Sequence, residues 1–328
     1  MIMELVKMNE LPFVEDESVV ERESSSDQFI RSNTKSIDFA NLKDRCIIPV
    51  FAKDNESTIS HPEFITAIQD AAQLWYKGER FLQPAIRVSH PIKGRIPEAM
   101  GKPADQLTES EKTIYYERMA FVIEIPSIKD NICGNDLSLM IGGVRSYNLE
   151  NLNRGKAEER FKVFIGFKNS VCVNLCISTD GFKSEIKVRT VTELIASAYK
   201  LFANFNSAKH LKRIDQFKNF ALTEKQFAQL IGRARMYQYL PLSKRKELPE
   251  IPISDSQISM ITKGYYSDES FCRDSSGTID LWRLFNLFTV AVKSSYIDTF
   301  IDRGVGSHVF IDRLSEALES GSNHWFLS

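Results

Sequence analysis

Phe161–Ser178, FKVFIGFKNSVCVNLCIS, decides the fold. Its apolar residues do not alternate with polar ones; both faces of the extended chain are hydrophobic. Such a stretch is stable as a strand pair only when both faces are covered. The spacing predicts a central hairpin with its turn at Lys168-Asn169-Ser170, set in the middle of a sheet.

The same pattern spreads to either side. Toward the N-terminus, Leu137–Val144 and the alternating run Met119, Phe121, Ile123, Ile125 read as a second hairpin, turning at Asn131–Asp136. Ala85–His90 reads as another strand, and the run CIIPVFA from Cys46 as a short buried one. Residues 93–103, with two prolines and two glycines, read as a loop, and Thr108 with Glu111 as the capping box of a short helix reaching Tyr116. Toward the C-terminus, Thr179-Asp180-Gly181 is a turn, and Ile186–Arg189 can add a strand.

Helical periodicity dominates elsewhere. Ser60 is a candidate cap for a helix opening at His61-Pro62, with Phe64, Ile65, Ile68, Ala71, Ala72 and Trp75 on one side. Val191–Asn206 is a helix. Thr223 starts another, whose stripe is Phe227, Leu230, Ile231, Ala234 and Tyr237, and Pro241 stops it. Asp280–Tyr296 and Val309–Leu318 follow. The class is α+β: a central, mainly antiparallel sheet with an N-terminal helix and a helical C-terminal half. Residues 1–40 read as a flexible acidic arm, 41–240 as the core domain, 241–256 as a Pro-rich linker and 257–328 as a helical region packing on the core.

The 328 residues carry 42 basic and 43 acidic side chains, so net charge selects no partner. Its distribution is uneven. Residues 1–30 hold eight acidic and two basic residues, whereas residues 207–246 hold ten basic and two acidic ones. Five cysteines do not make a disulfide framework in so long a chain, which fits a reducing cytoplasm. The N-terminus lacks a signal-peptide pattern, and no apolar run approaches the ~18 residues of a membrane span.

Two groups of residues fit nucleic-acid recognition. Lys209, Lys212, Arg213, Arg233 and Arg235 lie in the basic stretch with Lys218 and Lys244-Arg245-Lys246; Arg87, Lys93 and Arg95 form a second basic segment. Gathered on one face they would neutralise phosphates; dispersed, they are ordinary solvated surface. The other group is Gly142-Gly143-Val144-Arg145-Ser146-Tyr147-Asn148, where Arg145, Tyr147 and Asn148 could meet a phosphate, a base face and a base edge. A bulge and a polar turn is the structural alternative. Asp180 with Glu185 and Lys187 has the residue types of a metal-dependent nuclease at too short a spacing. Walker, HExxH and GxSxG motifs are absent, and the five histidines have no zinc-site spacing, so no catalytic residue, metal or cofactor is expected.

Seven blocks resemble, in order, domain-of-unknown-function family 3871: CIIPVFAKDNESTISHPEFI, IRVSHPIKGRIP, EKTIYYERMAFVIEIPSI, LSLMIGGVRSYNLENL, FKVFIGFKNSVCVNLCISTDGF, TEKQFAQLIGRARMYQYLP and LWRLFNLFT. They span roughly residues 40–328. The Gly-Gly-Val-Arg-Ser-Tyr-Asn turn and the Val-Cys-Val-Asn-Leu strand of residues 171–175 are more loosely similar to the plasmid and phage family 932. The resemblance implies a bacterial mobile-element or prophage setting and transfers no active site. The expectation is a non-enzymatic, cytoplasmic protein that binds single-stranded or structured DNA, has no membrane partner and can self-associate. A protein-interaction or defence-evasion module is the alternative, and a nuclease a distant third.

Overall fold

The computed structural model describes residues 28–32, 34–46, 58–147 and 158–328. The elements run β1 (Lys35–Ile37), α1 (Phe39–Arg45), α2 (His61–Trp75), β2 (Ala85–Val88), β3 (Pro91–Arg95), β4 (Lys112–Tyr116), β5 (Arg118–Ile132), β6 (Asn135–Ser146), β7 (Glu159–Asn169), β8 (Asn174–Cys176), β9 (Phe182–Val188), α3 (Val191–Asn204), α4 (Ser207–Gln216), β10 (Ala221–Leu222), α5 (Glu224–Tyr237), α6 (Leu242–Lys246), α7 (Asp255–Ser267), β11 (Ile279–Asp280), α8 (Leu281–Val292) and α9 (Phe300–Ser320). The class is α+β.

Among the described residues, seven strands form one sheet in the order β1-β2-β5-β6-β7-β8, and β9 shares the outer edge of β7 with β8. The pairings are antiparallel. The two-sided hydrophobicity of β7 has a direct cause in its register. Val163 pairs with Gly143 on the face where Phe64 of α2 packs, with ring centroids 5.3 Å from Phe121 and 4.7 Å from Phe161. Lys162, one residue away and therefore on the other face, pairs with Asp302 of α9 and donates to the Asp298 carbonyl at 2.7 Å. Helices thus lie against both faces of the strand.

The two glycines of β6 are set by the same sandwich. A Cβ on Gly143 would sit 2.3 Å from the Phe64 ring; one on Gly142 would sit 2.3 Å from the Phe121 carbonyl oxygen and 2.4 Å from the Phe164 ring. Each glycine makes room for an aromatic ring. The β5–β6 hairpin closes at Cys133 and Gly134, both left-handed with φ of 53° and 78°, the conformation of a tight two-residue turn.

Several helix starts are fixed locally. Ser60 caps α2 in a reciprocal box with Glu63, and Thr223–Gln226 and Ser254–Gln257 do the same for α5 and α7. Three sequence expectations need correction. Residues 93–103 are not wholly loop, because Pro91–Arg95 pairs with Lys112–Tyr116 as a two-stranded ribbon. The helix expected from Thr108 to Tyr116 ends after one 3-10 turn at Glu111: the box forms, but the β-branched and aromatic residues of KTIYY prefer the ribbon. The central hairpin turns later than expected, with Asn169 facing Asn174 and Val173 at φ 53°. β8 is consequently short, and Cys172 lies in the turn rather than on the strand with Cys176.

The first described residues already pack on the fold: Ile30 is fully buried, and the Phe29 ring meets Phe300 at 6.0 Å. Residues 241–254 carry α6 and then bury Ile251 and Ile253. The acidic residues 1–27 and most of the CIIPVFA stretch lie outside the described residues. No described helix is long and apolar enough to cross a membrane.

Candidate functional site

Strand polarity separates the two arginines expected to meet nucleic acid. Arg87 pairs with Ala120, which pairs with Val144; Arg145, next in line, projects to the opposite face. Arg87 is buried and donates to the Thr34 hydroxyl and carbonyl at 3.0 Å. Arg145 is buried without exposure of its side chain.

Around Arg145 the end of β6 and the start of β7 build a closed polar cluster. Its guanidinium lies 4.5 Å from the centroids of both the Tyr147 and Phe161 rings, and donates to the Ile59 carbonyl and the Glu159 carboxylate. Glu159 also accepts from the Ile59 N–H at 2.9 Å, so one carboxylate ties the arginine to the segment leading into α2. His61 stacks at 4.6 Å on Tyr147, and its Nε2 donates to the Tyr116 carbonyl at 2.8 Å. Burial, reinforced by the Arg145 charge, drives the His61 pKa down to about 3, which keeps the ring neutral. Burial raises the Glu159 pKa against the opposing pull of Arg145. This cluster clamps strand ends to a helix start and offers no open face. Arg145 and Tyr147 do come together, as the sequence suggested, but inside the protein; Asn148 lies outside the described residues.

The remaining cations lie on three elements, β3, α4 and α5. Lys93 and Arg95 are on the β3–β4 ribbon, where Arg95 donates to the Lys102 carbonyl. Lys209 and Lys212 are exposed on α4 and pair with no acidic side chain among the described residues, while Arg213 pairs with Asp312 and, at 3.5 Å, with Glu316 of α9. On α5, Arg233 lies 4.7 Å over the Trp325 ring and Arg235 sits 3.4 Å from Asp255.

One stretch of chain carries both cations and exposed aromatic and apolar groups: the corner between α5 and α6. Tyr239 is 86% exposed, Leu242 69% and Met236 60%. Along the chain Arg233 and Arg235 precede them and Lys244, Arg245 and Lys246 follow, and the sequence has no acidic residue between Glu224 and Glu247. The signal was present in the sequence. Met236 falls off the buried stripe of α5 and Tyr239 lies just past the helix end, before Pro241, so both are left in solvent.

The acidic candidates have structural partners. Asp180 accepts from Ser178, and Glu185 sits 2.9 Å from Lys187 and 3.2 Å from Arg160 on the exposed β9 edge. Among the described residues no group of three or more His, Cys, Asp or Glu side chains is placed to hold a metal. The five cysteines are free thiols; burial pushes the Cys172 pKa up to about 11 and raises that of Cys176 as well, which opposes thiolate formation. A cavity of about 20 Å³ lies between β8 and α8–α9, and an open concavity of about 340 Å³ is lined by Asp38, Asn41 and Tyr116; neither gathers a set of catalytic groups.

No curated protein and no solved structure matches the chain. One family model does, described as "Domain of unknown function, B. Theta Gene description (DUF3871)", and it matches residues 13–327. A match of that extent, taking in the sheet, the Arg145 clamp and the α5–α6 corner alike, makes the chain a member of the DUF3871 family.

Proposed function

We propose that the protein binds single-stranded or structured nucleic acid, DNA foremost, without catalysing a reaction on it, and that the α5–α6 corner makes the contact. The observation that carries this reading is an almost fully exposed Tyr239 in a stretch of chain that carries five cations within seven residues of it, Arg233, Arg235, Lys244, Arg245 and Lys246. Cations attract the phosphate backbone, and an exposed ring stacks on unpaired bases of any sequence. Lys209 and Lys212, exposed on α4, can extend the electrostatic attraction. A cytoplasmic protein of a bacterial mobile element or prophage, acting as a DNA-maintenance or recombination accessory, is the setting this reading favours.

Anisotropy of labelled oligonucleotides, titrated across salt concentrations, tests it. Affinity is expected to fall steeply with salt, to favour single strands over duplex, and to drop roughly 5- to 100-fold in Tyr239→Ala. Absence of binding at low salt, or binding indifferent to salt, removes the proposal.

A second reading has its own observation. Leu74, Trp75 and Tyr199 are exposed where α2 meets α3, with the Trp75 and Tyr199 rings edge to face at 5.8 Å. Such a patch suits self-association. Sedimentation should then reveal a dimer that Trp75→Ser disperses; a monomer at every concentration excludes it.

A further inference from the structure

The corner is cationic, and the largest block of opposite charge in the chain joins the fold within its own reach of that corner. Residues 15–27 hold six acidic side chains (Glu15, Asp16, Glu17, Glu21, Glu23 and Asp27) against one basic, Arg22. They lead directly into Gln28 and Phe29, and Phe29 is anchored on α9 through Phe300, with the Arg31 N–H donating to the Lys293 carbonyl at 2.7 Å. The same helix carries the route back to the corner. Gly306 of α9 lies beneath Pro252, where a Cβ would approach to 2.7 Å. Phe300 and Gly306 are about 9 Å apart along the helix axis. The chain from Pro252 back to Lys246 spans at most roughly 20 Å. Lys246 therefore lies within roughly 40 Å of Phe29, while the chain from Phe29 back to Glu15 reaches roughly 45 Å when extended.

We propose that the acidic segment of residues 15–27 docks in cis on the α5–α6 corner, opposite Lys244, Arg245 and Lys246, and competes there with polyanions. The inference rests on the corner being the anion-binding surface proposed above, and it adds that surface's regulator. Tethering makes the competition intramolecular, so a segment of weak intrinsic affinity holds the corner until a longer polyanion displaces it. A block of like charge placed against Lys and Arg also offsets the self-repulsion of the corner.

Zero-length carbodiimide cross-linking of the full chain tests docking without nucleic acid, because it joins only carboxylates and amines in direct contact. The expected products are intramolecular links from Glu15, Asp16 or Glu17 to Lys244 or Lys246, suppressed by high salt. In parallel, the full chain carrying Glu15→Gln, Asp16→Asn, Glu17→Gln, Glu21→Gln and Glu23→Gln should bind a labelled single strand roughly tenfold more tightly than the parent at low salt. Links to other lysines only, links only between copies, or equal oligonucleotide affinity in the two chains overturns the proposal. Corner links in a protein that binds no oligonucleotide in either form support docking and sink the nucleic-acid reading instead.

Discussion

Two regions of the protein carry an arginine and a tyrosine a few residues apart in the chain, with opposite outcomes. At the end of β6, Arg145 and Tyr147 are buried, the guanidinium held between two rings and matched by Glu159; at the end of α5, Arg235 and Tyr239 face solvent. The first pair sits where a sheet is covered on both faces, so its polar groups must be satisfied internally. The second lies beyond the buried stripe of a surface helix and faces water. Residue type thus says little about role until burial is known: the same chemistry is a clamp in one place and an exposed contact surface in the other.

Acidification separates the two regions most strongly. Burial lowers the pKa of His61 and His210 to about 3 and that of His308 to about 4, all from 6.5. Below pH 6.5 the unfolded chain takes up protons that these native imidazoles refuse, so stability is full above that pH and declines as pH falls. Each ring contributes a slope of about 1.4 kcal/mol per pH unit, and the three together several kcal/mol by pH 5. Denaturant midpoints at pH 7.5, 6 and 5 measure this loss, whereas binding by the Lys and Arg groups of the corner should hold steady while the protein stays folded.

Breaking the clamp comes next. Arg145→Ala leaves Glu159 buried without its cation and is expected to cost about 3–5 kcal/mol. Glu159→Gln, which can still accept from the Ile59 N–H, should cost less. Equal losses in urea melts of the two variants would show that the charge pair is not what holds the strand ends.

The same substitution should have opposite signs in the two regions. Gly142→Ala drives a Cβ into the Phe121 carbonyl and the Phe164 ring, at a cost of about 1–3 kcal/mol. Gly232→Ala in α5 meets nothing within 4 Å and should stabilise by about 0.5–1 kcal/mol. Thermal melts of both variants check the contrast. Smallest of all is the effect of Tyr239→Ala on folding, expected within about 0.5 kcal/mol because the ring is exposed, while its effect on oligonucleotide affinity is large. A substantial loss of stability would mean that the ring packs and does not wait for a ligand.

Much of this architecture follows from local pattern alone. Apolar residues on both faces of Phe161–Phe167 require a covered strand, Ser60 with Glu63 and Thr223 with Gln226 fix helix starts, and Cys133-Gly134 closes a hairpin, because each signal acts within a few residues. The basic helix α4 and the helix α7 escaped notice, since a short or weakly striped helix gains its stability from packing against neighbours. Which arginine is a clamp and which is exposed was decided only by tertiary structure. Glu159 lies 14 residues from Arg145, Ile59 lies 86 residues away, and Asp312 lies 99 residues from Arg213. A charge acquires its role from whatever folding brings beside it, and that neighbour is not written next to it in the chain.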